Sequence, residues 1–96
     1  MANKAKEVIK FSASWCGPCK AYGPIFEKVS KNDDLKGIKF TAMDVESEEA
    51  APLVEKYGIK GVPATMIVDE DREPIKQVLG PIPETSLVEL IKGEMA

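Results

Sequence analysis

Apolar residues recur along this chain with two different spacings, and the switches between them lay out its elements. Val8, Ile9 and Phe11 form a nearly continuous run of β-branched and aromatic residues, so Lys6 to Ser12 is predicted as a strand buried on both faces, interrupted only by Lys10. From Cys16 to about Lys31 the spacing lengthens. Tyr22, Ile25, Phe26 and Val29 fall at i, i+3, i+4 and i+7, the single apolar stripe of a helix. Pro18 falls in its first turn, where a missing N–H costs nothing, whereas Pro24 inside the stripe predicts a kink. Asn32, Asp33, Asp34 and Gly37 make the exit loop.

Ile38 to Val45 returns to alternation, with Ile38, Phe40 and Ala42 set against Lys39 and Thr41, and reads as a second strand. Ser47 is placed to cap a short second helix whose stripe is Ala50, Leu53, Val54 and Tyr57. Pro52 then lies near its start, and Gly58 stops it. Ala64 to Val68 and Glu73 to Leu79 read as strands joined through Asp69-Glu70-Asp71-Arg72, short enough for an antiparallel hairpin although it lacks the usual glycine. Pro74 suits only an edge strand or a strand start. After the breakers Gly80, Pro81 and Pro83, the residues Leu87, Leu90 and Ile91 mark one face of a last helix, expected to end near Gly93. The predicted class is therefore α/β, in the order β-α-β-α-β-β-α. It is a small four-stranded mixed sheet with helices on both faces, forming one domain over residues 1–96.

Composition adds mostly exclusions. With 44% hydrophobic and 30% charged residues, the chain has the make-up of an ordinary soluble domain. A formal charge of -3 without long runs of one sign argues against a nucleic-acid or anionic-membrane surface. No apolar run is long enough to span a membrane. Met1 to Lys6 is polar, with no hydrophobic signal core, so the chain is expected in the cytoplasm. There is no histidine, which removes the commonest general base and the commonest metal ligand.

Chemistry then concentrates in Trp15-Cys16-Gly17-Pro18-Cys19-Lys20. This stretch holds both cysteines, three positions apart, where the first strand hands over to the first helix. Cys-x-x-Cys in such a setting reads as a dithiol/disulfide redox site. A helix N-terminus gathers unpaired N–H groups and partial positive charge, and sites of this kind lower a thiol pKa from about 8.5 to roughly 3.5–7.5. Cys16 is therefore the expected nucleophile. Cys19, one turn deeper and expected to be more buried, is the resolving thiol. Gly17 leaves room for a substrate backbone, Pro18 stiffens the turn, and Trp15 offers a flat apolar shoulder. Three other readings compete: a zinc site, short of ligands with two thiols and no histidine; a structural disulfide, whose loop is too short to stabilise much; and inert core cysteines.

At these residues the chain resembles the thioredoxin family. The motif Trp15-Cys16-Gly17-Pro18-Cys19-Lys20 looks like the family's active site at every position, and Pro24 is similar to its helix-kinking proline. Tyr57-Gly58-Ile59-Lys60-Gly61-Val62-Pro63 resembles the segment leading to the family's cis-proline, and Gly80 a glycine lining its substrate groove. The resemblance covers roughly residues 6–93. It implies that Pro63 is cis and lies against the cysteine pair, a plain trans turn being the alternative, and that the Val62 backbone pairs with an extended substrate segment. It implies no bound cofactor, disulfide-containing substrate proteins, and electrons supplied by a thioredoxin-reductase-like partner.

Four departures accompany the resemblance. The strand and helix that usually precede the feeding strand have no counterpart before Val8. Ala64 separates Pro63 from Thr65, and the stretch from Asp44 to Tyr57 is about two residues longer than usual. Lys10 stands where family members carry a buried Asp, six positions before the first cysteine. Lys10 is thus a candidate proton-handling or charge-stabilising partner of Cys19; the alternative is a buried stem with its ammonium reaching solvent. The expected function is a monomeric thiol–disulfide oxidoreductase. A glutathione-dependent glutaredoxin-like enzyme, or a thioredoxin-like structural subunit that leaves its thiols unused, would be the other outcomes.

Overall fold

Strand β1, Glu7–Ser12, runs through the interior of the sheet in the computed structural model, which describes residues 4–95. It leads into helix α1, Gly17–Ser30, and the chain returns along strand β2, Lys39–Asp44, parallel to β1. Helix α2, Ala51–Tyr57, precedes strand β3, Ala64–Val68, which pairs antiparallel with β1 from Glu7↔Val68 to Phe11↔Ala64. Strand β4, Pro74–Leu79, lies antiparallel on β3, and helix α3, Glu84–Met95, closes the chain. The strand order β2-β1-β3-β4 is the mixed four-stranded sheet that the pattern predicted.

The two central strands explain their own composition. All five residues of β3 are buried, as are Val8, Ile9 and Phe11 of β1, because helices cover both faces. On one face Val8 and Ile67 pack with Tyr22, Phe26 and Val29 of α1 and with Leu87 and Ile91 of α3. On the other, Ile9, Phe11 and Met66 pack beneath Leu53, Val54 and Tyr57 of α2. Each large side chain so covered contributes about 1.5–3 kcal/mol over leaving it exposed.

The structure departs from the pattern at element ends. Ser47 does not cap α2. The helix starts at Ala51 with Ala50 as an uncapped N-terminal residue, while the Ser47 hydroxyl accepts the Ala50 N–H (3.2 Å) within the preceding turn. Pro52 is the second helical residue, and Gly58 ends the helix in the left-handed region at φ 63°. The exit loop of α1 contains a 3₁₀ turn, Asp33–Leu35, capped by the Asn32 side chain and buried through Leu35. α3 continues through Gly93 to Met95, since the Met95 side chain packs on the same core face.

The hairpin without a glycine is solved by side chains. Arg72 takes the left-handed position at φ 62°. The Asp69 carboxylate accepts the N–H groups of Asp71 and Glu73, both at 2.9 Å. The Arg72 guanidinium donates to both oxygens of Glu7 on β1 (3.0 and 3.1 Å), and Thr41 of β2 donates to the same carboxylate (2.6 Å). Burial pushes the Glu7 carboxyl up. The hydrogen bonds from Arg72 and Thr41, with the charges of Arg72 and Lys39, outweigh it and hold the group below the usual range.

Candidate active site

The cysteine pair sits where β1 gives way to α1. The Cys16 N–H is taken by the Ala13 carbonyl (3.1 Å), which closes the turn through Ser14 and Trp15. Cys16 is the residue that caps α1, with extended backbone at φ -90° and ψ 110°. Its sulfur accepts the Cys19 N–H at 3.1 Å. Pro18 supplies no N–H, and the first turn carries no acidic side chain to oppose a negative sulfur. A helix terminus built this way stabilises a thiolate at Cys16 once the pair is reduced.

In the structure the two sulfurs are joined as the Cys16–Cys19 disulfide, with the Cα atoms 5.3 Å apart. Cys16 is 4% and Cys19 5% exposed, so the difference in burial expected from their positions on the helix is absent in the oxidised form. The reason is that residues from outside the helix cover both: Ala13, Val45 and Val62 pack around the pair.

The Val62–Pro63 peptide is cis, and Pro63 is buried beside the disulfide while the Val62 carbonyl oxygen lies 3.7 Å from the Cys16 sulfur. Gly80, at φ 90°, donates its N–H to the Pro63 carbonyl (2.8 Å), so the end of β4 is stitched to the same loop. That φ is open to glycine and strained for other residues. Trp15 is 68% exposed and lines a mostly apolar cleft of about 300 Å³ together with Val45, Val54, Ile59, Lys60 and Val62. Gly17 and Pro18, between the two cysteines, are exposed. Val62 thus packs on the cysteine pair, Pro63 follows it and Gly80 is hydrogen-bonded to Pro63, while Trp15, Gly17 and Pro18 adjoin the cysteines in sequence.

Lys10 is placed differently. Its ammonium lies over the Phe26 ring, 5.4 Å from the centroid, and faces Gly23. Among the described residues no hydrogen bond or ion pair joins it to a sulfur or a carboxylate. Two features were not legible in the sequence. Leu79 is 66% exposed just before Gly80, a surface apolar residue at a strand end that reads in sequence as core. Tyr22 and Thr65 share a buried hydrogen bond at 2.8 Å. Nothing in the chain signals it beyond a tyrosine in an otherwise aliphatic and phenylalanine stripe.

The thioredoxin family model matches residues 1–93. The chain is 38% identical over 92 residues to a thioredoxin of Mycoplasmoides gallisepticum, covering 96% of this chain and 87% of that one. It is 33% identical over 89 residues to a thioredoxin of Aspergillus fumigatus, covering 93% and 77%. This chain belongs to the thioredoxin family. Among solved structures, the thioredoxin of Malassezia sympodialis superposes with a TM-score of 0.81 at 30% identity, over 99% of this chain and 80% of that one. A mutant form of the thioredoxin of Halobacterium salinarum gives 0.78 at 29%, over 98% and 77%. The chain is accordingly a thiol–disulfide oxidoreductase with Cys16 and Cys19 as its redox-active pair. Thioredoxins work through their own cysteines without a bound cofactor, with reductases and disulfide-bearing substrates as partners. Among the described residues, no group of three or more His, Cys, Asp or Glu side chains is arranged to hold a metal, and no helix is long and apolar enough to cross a membrane.

Proposed function

We propose that the chain reduces disulfides in substrate proteins, with Cys16 as nucleophile and Cys19 as resolving thiol. The observation that carries this is the position of the Cys16 sulfur, which accepts the Cys19 N–H at the start of α1 and faces the Val62 carbonyl across the loop. An extended substrate segment pairs with the Val62 backbone and lies over Pro63 and Gly80, with Trp15, Gly17 and Pro18 at its flank. The Cys16 thiolate attacks one sulfur of the substrate disulfide. That S–S bond breaks, and the departing sulfur leaves as a thiolate that takes a proton. Cys19, deprotonated, then attacks the Cys16 sulfur. The mixed disulfide breaks, the second substrate sulfur leaves reduced, and the Cys16–Cys19 disulfide has taken up the oxidising equivalent. A thioredoxin-reductase-like partner returns two electrons. The monomer in the cytoplasm is the form and setting that suit this cycle, since cytosolic reductants keep substrate thiols reduced.

Alkylation of the reduced protein with iodoacetamide at pH 7, mapped by mass spectrometry, tests the assignment. Cys16 labels several-fold faster than an ordinary free thiol, because the larger thiolate fraction at a helix N-terminus outweighs the lower intrinsic nucleophilicity of a more acidic sulfur. Cys19 labels more slowly than Cys16. Equal rates, or Cys19 first, would overturn the roles.

Lys10 takes a charge-stabilising part, acting through space, since its ammonium stands beside Gly23, one turn beyond Cys19 on α1. A cation there favours the Cys19 thiolate, so Lys10→Met raises the pH midpoint of Cys19 reactivity, by on the order of one unit for a charge acting at an effective dielectric near 20. An unmoved midpoint removes Lys10 from the mechanism.

A further inference from the structure

The proposed chemistry needs two separate pieces of chain in register. The sulfurs ride on α1, and the backbone that receives the substrate, Val62–Pro63, runs directly into β3. Apolar packing alone holds a helix against a sheet without fixing its axial position, because burial is non-directional. A hydrogen bond is directional and tolerates only a few tenths of an ångström.

One side-chain hydrogen bond between the described residues of α1 and β3 meets that need. The Tyr22 hydroxyl and the Thr65 hydroxyl are 2.8 Å apart, and both residues are fully buried. Tyr22 lies three residues beyond Cys19, on the same buried face of α1. Thr65 lies two residues beyond Pro63 in β3. The bond therefore closes a small ring. It runs from Cys16 through one and a half turns of helix to Tyr22, across to Thr65, back along two strand residues to Pro63, and over the 3.7 Å gap from the Val62 carbonyl to the Cys16 sulfur. Burial pushes the Tyr22 phenol up, and the bond from Thr65 draws it only partly back, so the hydroxyl is protonated at neutral pH. Phenylalanine and valine would fill the same two volumes without burying a hydroxyl, so packing does not account for the pair.

We infer that Tyr22 and Thr65 are positioning residues for protein-disulfide reduction: their hydrogen bond sets the register between the dithiol on α1 and the substrate-receiving backbone at Val62–Pro63. This rests on the function proposed above, in which substrate lies across both. Stabilisation of the Cys16 thiolate, which makes the first attack, is local to α1, where the Cys19 N–H meets the Cys16 sulfur, and does not depend on the bond. The positioning role therefore predicts a split between substrates.

Tyr22→Phe, Thr65→Val and the double variant are compared with wild type on insulin, whose disulfides lie in a polypeptide, and on 5,5′-dithiobis(2-nitrobenzoate), which has no backbone to pair. Each single change lowers kcat/KM on insulin about fivefold, the size that one neutral hydrogen bond converts to. The small disulfide reacts within twofold of wild type. The double variant loses no more than either single one, since one bond is removed in each case. Thr65→Ser keeps a hydroxyl and returns insulin activity to within twofold of wild type. Unchanged insulin activity in the folded variants overturns the proposal. So do equal losses on both substrates, or losses that multiply in the double variant. Wild-type protein that leaves insulin untouched overturns the proposed function and this inference with it; active wild type with unmoved variants overturns this inference alone.

Discussion

Replacing Cys16 by serine ends protein-disulfide reduction, lowering kcat/KM on insulin by at least about 10³-fold, as expected when a covalent nucleophile is removed. The hydroxyl of the Cys16→Ser variant is protonated at pH 7 and forms no bond to a substrate sulfur that Cys19 could displace. Cys19→Ser fails at the other half of the cycle. Its Cys16 thiolate still attacks, but nothing resolves the mixed disulfide, so the substrate stays attached. Non-reducing electrophoresis shows the adduct, and dithiothreitol releases it. The two variants therefore separate the roles implied by Cys16 at the capping position and Cys19 one turn further along α1. Sulfur and oxygen differ little in size, and the loop closed by the disulfide is short, so both variants stay folded. A Cys16→Ser protein retaining a tenth of the activity, or a Cys19→Ser protein that never traps substrate, would refute the assignment.

The parts of this site that were legible in the sequence are those with a local physical signature. The Cys16–Cys19 spacing at a change of period, Pro18 in a first turn and Gly58 at a helix end each declare themselves within a few residues. Pairing of distant segments is another matter. Periodicity says that β1 and β3 are buried, but the antiparallel register that sets Lys10 opposite Thr65 comes from how helices cover both faces. The fate of Lys10 was likewise open. In sequence it lies beneath the dithiol; in the fold its flexible stem carries the ammonium on to the Phe26 ring. Ser47 predicts the cap too early because one turn, 48–50, separates it from α2, and a serine signals only that some N–H three residues on will be met. Tyr22 read as core, which is correct for its ring and silent about its hydroxyl.

Arg72 carries the largest expected effect on stability away from the sulfurs. Glu7 is 7% exposed, and its carboxylate is tolerated there because Arg72 and Thr41 donate to it. Arg72→Met keeps the stem of the side chain and the same left-handed backbone strain, so it removes the charge and little else. Breaking a fully buried pair costs about 3–5 kcal/mol; with the Arg72 side chain 36% exposed, solvent compensates in part and the loss is about 2 kcal/mol at pH 7. The sign with pH follows from the lowered Glu7 value. A depressed carboxyl contributes stability above its unfolded pKa, and that contribution disappears as pH falls through the folded one. In the variant the hydrogen bonds and charge of Arg72 no longer oppose burial, so Glu7 protonates more readily than in wild type and the penalty fades in acid. Urea unfolding at pH 7 and near pH 3 measures both limits. A destabilisation of the same size at the two pH values would mean that Arg72 acts through packing and not through charge. The hairpin lies at the end of β3 away from Pro63, so insulin reduction by the folded variant at pH 7 matches wild type.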